Sequence, residues 1–451
     1  MAWELFATTI DLARTQYSSP ILGVECGGGR LNPKDKEASM NKPNYLHLAA
    51  VLAALGAVLN CRIATAQFDR DSTAQPRYHT PPASGVSLMK DQHLYSLVSP
   101  LRSLKTPDSK ADVREWKEQL RPQLHRQWEN ILGKLQPSES DQVWFGDIRK
   151  STEISRIQKD GYVRIELTLP METDFDQSYL LLLPDNVGTK KCPAVIAWTS
   201  TSPDYTEPEK WWGEWLAQHG YVVLCGWSFI RNYRDATSYR NDVQLKLYER
   251  FGRWAPISRM VFDVQREAQF LADVPIVDPN RIGFMGFSLS AKTALYVAAF
   301  APEIKAVVSI DPHLALYGNS NYLDPWYLDA KRPFDSIPAS DYPVEALRNT
   351  VWSLLDTDPT RPGFERNHHE LLALAAPRAV MVIGCSTDQP TAAHSDDRQS
   401  IAYINAAREV YELLDVPEKL EYIQLTCGHR ATDPVMDRSW QRFFERWLKE
   451  N

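Results

Sequence analysis

From about residue 194 onward, short apolar runs alternate with longer stretches whose apolar positions recur at helical spacing. The runs at 194–200 (AVIAWTS), 221–225 (YVVLC), 281–287 (RIGFMGF), 305–310 (KAVVSI), 379–384 (AVMVIG) and 420–425 (LEYIQL) read as strands. Between them lie amphipathic stretches at 209–219, in the segment ending DVQREAQFLADV, at 289–300 and at 401–414. The chain closes on a helix with Met436, Trp440, Phe443, Phe444, Trp447 and Leu448 on one stripe. Strands that are apolar at nearly every position are buried on both faces. That occurs when helices cover both sides of a mostly parallel sheet. The expected class is therefore α/β.

Upstream, residues 143–148, 162–169 and 179–183 read as further strands. Residues 112–135 carry helical periodicity interrupted by Pro122, which suggests one or two accessory helices. The most apolar stretch, 48–59 (LAAVLAALGAVL), is too short for a membrane span of roughly 20 residues. With Lys42 before it and Ala64-Thr65-Ala66 after it, it reads as a secretory signal running from Met40 to Ala66. The expected organisation is a leader or mis-called start (1–39), a signal peptide (40–66), an N-terminal helical extension (67–140) and a catalytic domain (141–451). Residues 314–368, rich in Pro, Asp, Tyr and Trp, interrupt the alternation and read as a cap-like insertion. The expected location is secreted or periplasmic. Net charge is −7, and 43% of residues are hydrophobic. That balance speaks against a disordered chain, a sequence-tolerant nucleic-acid binder and a polybasic membrane-surface protein. Cys385 and Cys427 each follow a strand-like run and are expected to end neighbouring strands, as small buried hydrophobes or as a bridge.

Gly286-Phe287-Ser288-Leu289-Ser290 ends one strand and opens the next helix, the setting in which G-x-S-x-G forms a nucleophile elbow. The tight turn needs small flanking residues, and here Ser290 stands at the second glycine position. A serine hydroxyl is a poor nucleophile until an imidazole takes its proton. His429, just past the last strand, is the best-placed base, ahead of His313, His394, His368 and His369. The orienting acid is expected at Asp388, past the strand at 379–384, with Asp311 as the competitor. Asp396 and Asp397 fit the start of the next helix better. The backbone N–H of Leu289 is expected in the oxyanion hole, with a second donor from the turn around Thr199 and Ser200. No HExxH, paired CxxC or EF-hand pattern offers a metal site, and no cofactor is expected.

These residues resemble the α/β-hydrolase superfamily over about residues 150 to 450. Asp278-Pro279-Asn280-Arg281-Ile282-Gly283, leading into the elbow, resembles acetyl xylan esterases and dienelactone-hydrolase-like proteins. The run from His369 to Arg378 (HELLALAAPR) and Ala407-Arg408-Glu409-Val410-Tyr411 resemble glucuronoyl esterases, whose elbow reads G-C-S-R-x-G-K. Here Leu289 replaces the arginine of that elbow, while Lys292 keeps its lysine, a position that the resemblance implies reaches sugar hydroxyls. Trp212 and Trp326, beside Trp211, Trp227 and Tyr327, are candidates to pack on a sugar face. The resemblance implies an exported serine hydrolase that cleaves carboxylic esters through an acyl-enzyme, on a small ester or a polysaccharide. A prolyl-oligopeptidase-like peptidase has the same Ser, Asp, His order but needs a larger N-terminal domain. A catalytically inactive carbohydrate-binding homologue is the reading from another class.

Overall fold

The computed structural model describes residues 100–101, 110–202, 204–228, 247–314, 367–386 and 400–450. The expected leader, the signal segment and nearly all of the cap-like insertion lie outside the described residues. A first helix, α1 (Lys110–Glu115), runs through a π-helical turn (Trp116–Leu120) into α2 (Arg121–Leu132). Pro122 does not break this run. It sits in the first turn of α2, where its missing N–H is tolerated. The π turn just before it is closed by the Arg121 N–H on the Trp116 carbonyl.

One nine-stranded sheet follows, in the order β1-β2-β3-β5-β4-β6-β7-β8-β9. Its strands are β1 (Thr152–Lys159), β2 (Tyr162–Glu172), β3 (Phe175–Pro184), β4 (Cys192–Trp198), β5 (Val222–Gly226), β6 (Val277–Phe287), β7 (Ile304–Ile310), β8 (Ala379–Cys385) and β9 (Leu420–Leu425). The first three pair antiparallel, and β3 joins β5 antiparallel. From β5 through β4, β6, β7 and β8 to β9 every pairing is parallel. The helices are α3 (Glu214–Gln218), α4 (Pro256–Asp273), α5 (Leu289–Phe300), α6 (His368–Ala375), α7 (Ser400–Leu413) and α8 (Pro434–Phe444).

Successive side chains of a strand point to opposite faces, and here they supply two cores. Ala194, Ile196 and Trp198 face one core with α4 and α5, while Val195 and Ala197 face the other with Trp212, Leu216 and Trp440. Every residue of α5 is buried, because the helix packs on β6 and β7 and is covered by α4 and α6. A helix this enclosed needs small and apolar residues all round, and LSAKTALYVAAF supplies them apart from Lys292. Among the described residues no helix is long and apolar enough to cross a membrane.

Two expectations are corrected. Residues 143–148 are not a strand: Glu139–Trp144 forms a 3₁₀ turn, and Val143 is 69% exposed. Asp141 stabilises that turn by accepting the Ser138 N–H at 2.7 Å, a local capping bond that a hydrophobicity pattern does not register. Conversely, β1 (TEISRIQK) gave no strand signal, because it lies at the sheet edge and is almost wholly exposed. Charged residues are the usual protection for such an edge.

Where α4 crosses the sheet, the buried Glu267 carboxylate accepts the Tyr179 hydroxyl at 2.7 Å and the Trp198 indole N–H at 2.8 Å. Burial pushes its carboxyl well above the usual carboxylate range, and the two donated bonds oppose that shift. Glu267→Ala leaves both donors buried without an acceptor. It is expected to cost about 3 kcal/mol in urea unfolding, and Glu267→Gln less than half of that.

Candidate active site

The elbow forms at the junction of β6 and α5. Ser288 holds φ 58° and ψ −107°, a left-handed backbone that a non-glycine residue adopts at a cost of about 1–3 kcal/mol. Gly286 is required by space. A Cβ there would lie 2.5 Å from the Ser290 Cβ and 2.7 Å from its backbone carbonyl. Ser290, the departure from the glycine pattern, has a task of its own. Its hydroxyl donates to the Thr199 carbonyl and ties the elbow to the turn after β4.

His429 lies in the loop after β9, and its Nε2 is 3.0 Å from the Ser288 Oγ. Its Nδ1 is 2.5 Å from the Asp311 Oδ2. The carboxylate bonded to this histidine is that of Asp311, the competitor to Asp388; Asp388 itself lies outside the described residues. Asp311 follows β7, its N–H donates to the Ile383 carbonyl at 2.7 Å, and its φ of 58° turns the side chain out of the ladder. The Cys385 N–H donates to its other oxygen at 3.2 Å. Burial pushes the Asp311 carboxyl up, while His429, the Cys385 N–H and the charge of Lys292 each favour the ionised form.

Leu289 begins α5, so its N–H belongs to the first turn, where donors have no intrahelical acceptor. The two residues expected to supply the second oxyanion donor part company. Thr199 spends its N–H on the Gly226 carbonyl at 3.1 Å, extending the sheet, which leaves Ser200 as the nearer candidate. Lys292 is 1% exposed, inside α5. Its charge bears on Asp311 and on His368, whose imidazole burial pushes down to about 3.

Trp212, a candidate to pack on a sugar face, has 1% of its surface exposed and its indole N–H on the Ala431 carbonyl at 3.1 Å. That bond steadies the histidine loop two residues beyond His429. Trp211 meets Phe287 edge-on at 6.1 Å, and the Phe287 ring lies 4.6 Å from the His429 ring. Trp326, Tyr327, His394, Asp396 and Asp397 lie outside the described residues. His368 and His369 are buried in α6 away from the elbow; His368 bonds the Tyr296 hydroxyl at 3.1 Å.

One feature escaped the sequence reading. His313, at φ 53°, places Nε2 3.9 Å from the Asp311 Oδ1. Ligand atoms of Asp311, His313 and His429 all lie within 4.8 Å of one another, so among the described residues these three form a group able to hold a metal ion. The spacing Asp-Pro-His was visible, but its convergence with residue 429 is not a sequence property. As expected, Cys385 and Cys427 stand at the ends of neighbouring strands; they are thiols and not a bridge, and Cys427 is held below the usual thiol range chiefly by a hydrogen bond with Cys385.

Substitutions at the elbow separate spatial need from hydrogen bonding. Gly286→Ala is expected to cost about 2 kcal/mol or more, because the clash is with backbone. Ser290→Gly should cost about 1 kcal/mol, the worth of one buried hydrogen bond. Urea unfolding of both variants checks the order.

The dienelactone hydrolase family matches residues 180–334, and the family described as BAAT / acyl-CoA thioester hydrolase C terminal matches residues 264–413. Among solved structures, a promiscuous CE15 esterase from a marine bacterial metagenome superposes with a TM-score of 0.50 at 15% identity. That match covers 78% of this chain and 96% of the esterase. Thiohydrolase apmlB of Arthrinium phaeospermum is 49% identical over 43 residues, 10% of this chain and 14% of that protein. Polyketide transferase claH of Penicillium crustosum is 41% identical over 56 residues, 12% of this chain and 18% of that protein. The matched stretch thus spans less than a fifth of either curated relative. Sheet order, elbow and family matches together identify the chain as an α/β-hydrolase-fold protein with dienelactone hydrolase and acyl-CoA thioester hydrolase sequence features.

Proposed function

We propose that the chain is a serine hydrolase that cleaves carboxylic esters through an acyl-enzyme. The observation that carries this reading is the continuous hydrogen-bonded line from Ser288 through His429 to Asp311, at 3.0 and 2.5 Å. Ser288 attacks the ester carbonyl while His429 Nε2 takes its proton. The buried Asp311 holds the Nδ1–H tautomer and balances the imidazolium as it forms. The oxyanion is met by the Leu289 N–H and a donor at Ser200, both fixed before substrate arrives. His429 then returns the proton to the leaving alcohol, and water releases the acid by the same route. An intact line of this kind supports a catalyst over an inactive binding module.

The substrate we propose is an ester-bearing carbohydrate met outside the cell. Support comes from the run at 278–283, the runs at 369–378 and 407–411, and the signal-like segment at 40–66. A second reading, hydrolysis or transfer of an acyl thioester, is favoured by the acyl-CoA thioester hydrolase match at 264–413, which begins before the elbow. The two readings share the acyl-enzyme and differ in the leaving group.

A fluorophosphonate probe should label the wild type and fail on Ser288→Ala. An unlabelled wild type overturns the hydrolase reading. Asp311→Asn is expected to lower kcat for p-nitrophenyl acetate by about 10⁴-fold, because the imidazole loses its tautomer. Asp388→Asn should leave kcat within about threefold, and the reverse ranking returns the acid to Asp388. Comparing acetylated xylan, a methyl glucuronate ester and an acyl-CoA at equal enzyme concentration separates the two substrate readings.

A further inference from the structure

The side chains at the end of β7 do more than hold the histidine. We propose that Asp311, His313 and His429 form a binding site for a borderline divalent ion such as Zn2+, and that its occupancy switches off ester hydrolysis. The binding stands on geometry alone; the switch rests on the function proposed above.

The donor set is two imidazole nitrogens and one carboxylate oxygen, which zinc accepts readily while leaving a fourth position for water. Tetrahedral zinc with bonds of about 2.1 Å holds its ligand atoms about 3.4 Å apart. One ligand atom from each of the three residues lies within 4.8 Å of the others. The Asp311 Oδ2 is 2.5 Å from His429 Nδ1 and its Oδ1 is 3.9 Å from His313 Nε2, so the carboxylate reaches the two rings with different oxygens. Binding through one oxygen needs the Asp311–His429 hydrogen bond to open and the ligand atoms to settle about 3.4 Å apart. Side-chain rotation of His429, whose side chain is 24% exposed, can open that bond. Asp311 and His313 are more enclosed, at 0% and 8% side-chain exposure. Their backbones, both at positive φ within three residues, aim the two side chains to the same side of the sheet end.

Binding takes the other neutral tautomer of His429. The proton moves from Nδ1 to Nε2, the Nδ1 lone pair binds the metal, no net proton is released, and no group is oxidised or reduced. The imidazole then has no Nδ1 proton to donate to Asp311. Its Nε2, now protonated, can no longer accept the proton of Ser288. Ser288 is not a ligand, so its removal leaves the site whole.

The test uses the untagged, chelator-stripped full chain titrated with zinc chloride by calorimetry. Wild type, Ser288→Ala and Cys427→Ser are each expected to bind one zinc per chain. His313→Ala and the more conservative His313→Gln, checked for unchanged thermal unfolding, should bind about tenfold more weakly or worse. Cobalt(II) in place of zinc should give visible bands typical of low-coordinate nitrogen and oxygen ligands, without a thiolate charge-transfer band. No binding by wild type, equal binding by both His313 variants, or loss of binding in Cys427→Ser overturns the site. In parallel, zinc should suppress p-nitrophenyl acetate hydrolysis by the wild type, and EDTA should restore it. Zinc bound without slowing turnover overturns the switch. Zinc bound by a protein that hydrolyses no ester and takes no fluorophosphonate overturns the proposed function and leaves the site standing.

Discussion

A carboxylate removed from water is stable only where donors replace the water, and Asp311 is the point at which this chain meets that demand. The group is fully buried, so its charge costs several kcal/mol unless it is paired. The Cys385 N–H, the His429 Nδ1–H and the nearby Lys292 together supply the pairing. Each comes from a different element: the end of β8, the loop after β9 and the first turn of α5. Loss of any one raises the cost of the charge for the others. The parallel half of the sheet and the helix behind it therefore have to be in register before the candidate site exists.

Ser288 and His429 were legible because each has a local signature. The serine sits between an apolar strand and a small-residue helix, and the histidine follows the last strand. The carboxylate beside the histidine was legible only as a choice between Asp388 and Asp311, and the reason is local geometry. β7 and β8 are adjacent parallel strands, each ending near an aspartate, and the choice between the two turns on one inverted φ at residue 311. Aspartate adopts that conformation more easily than most residues, but composition does not say where it will. Lys292 offered a signal that periodicity reading passed over. The helix around it is apolar on every side, so a lysine there has no solvent face. The strand error at 143–148 and the missed β1 share one cause. Hydrophobicity reports burial, and an exposed edge strand and an exposed apolar turn invert that relation.

Aromatic residues do structural work close to the chemistry. Trp212 holds the Ala431 carbonyl, Trp211 packs on Phe287, and Phe287 lies against the His429 ring. Broad side chains with few rotamers confine an imidazole at modest entropic cost. A loop residue that must keep two hydrogen bonds at once benefits from such confinement. The abundance of tryptophan in this chain is therefore partly a matter of keeping the base still, whatever the substrate.

The ends of the segment 315–366 meet at a single place. The Leu314 carbonyl accepts the His368 Nδ1–H at 2.8 Å, and the Leu314 N–H donates to the Ser400 hydroxyl at 3.2 Å. This clasp stands three residues beyond Asp311. Because the entropy of joining two fixed points grows only slowly with the length of chain between them, residues can be added to or removed from 315–366 with little effect on the Asp311–His429 contact. Descendants of this chain can therefore rewrite that stretch of sequence while inheriting the contacts among Ser288, His429 and Asp311.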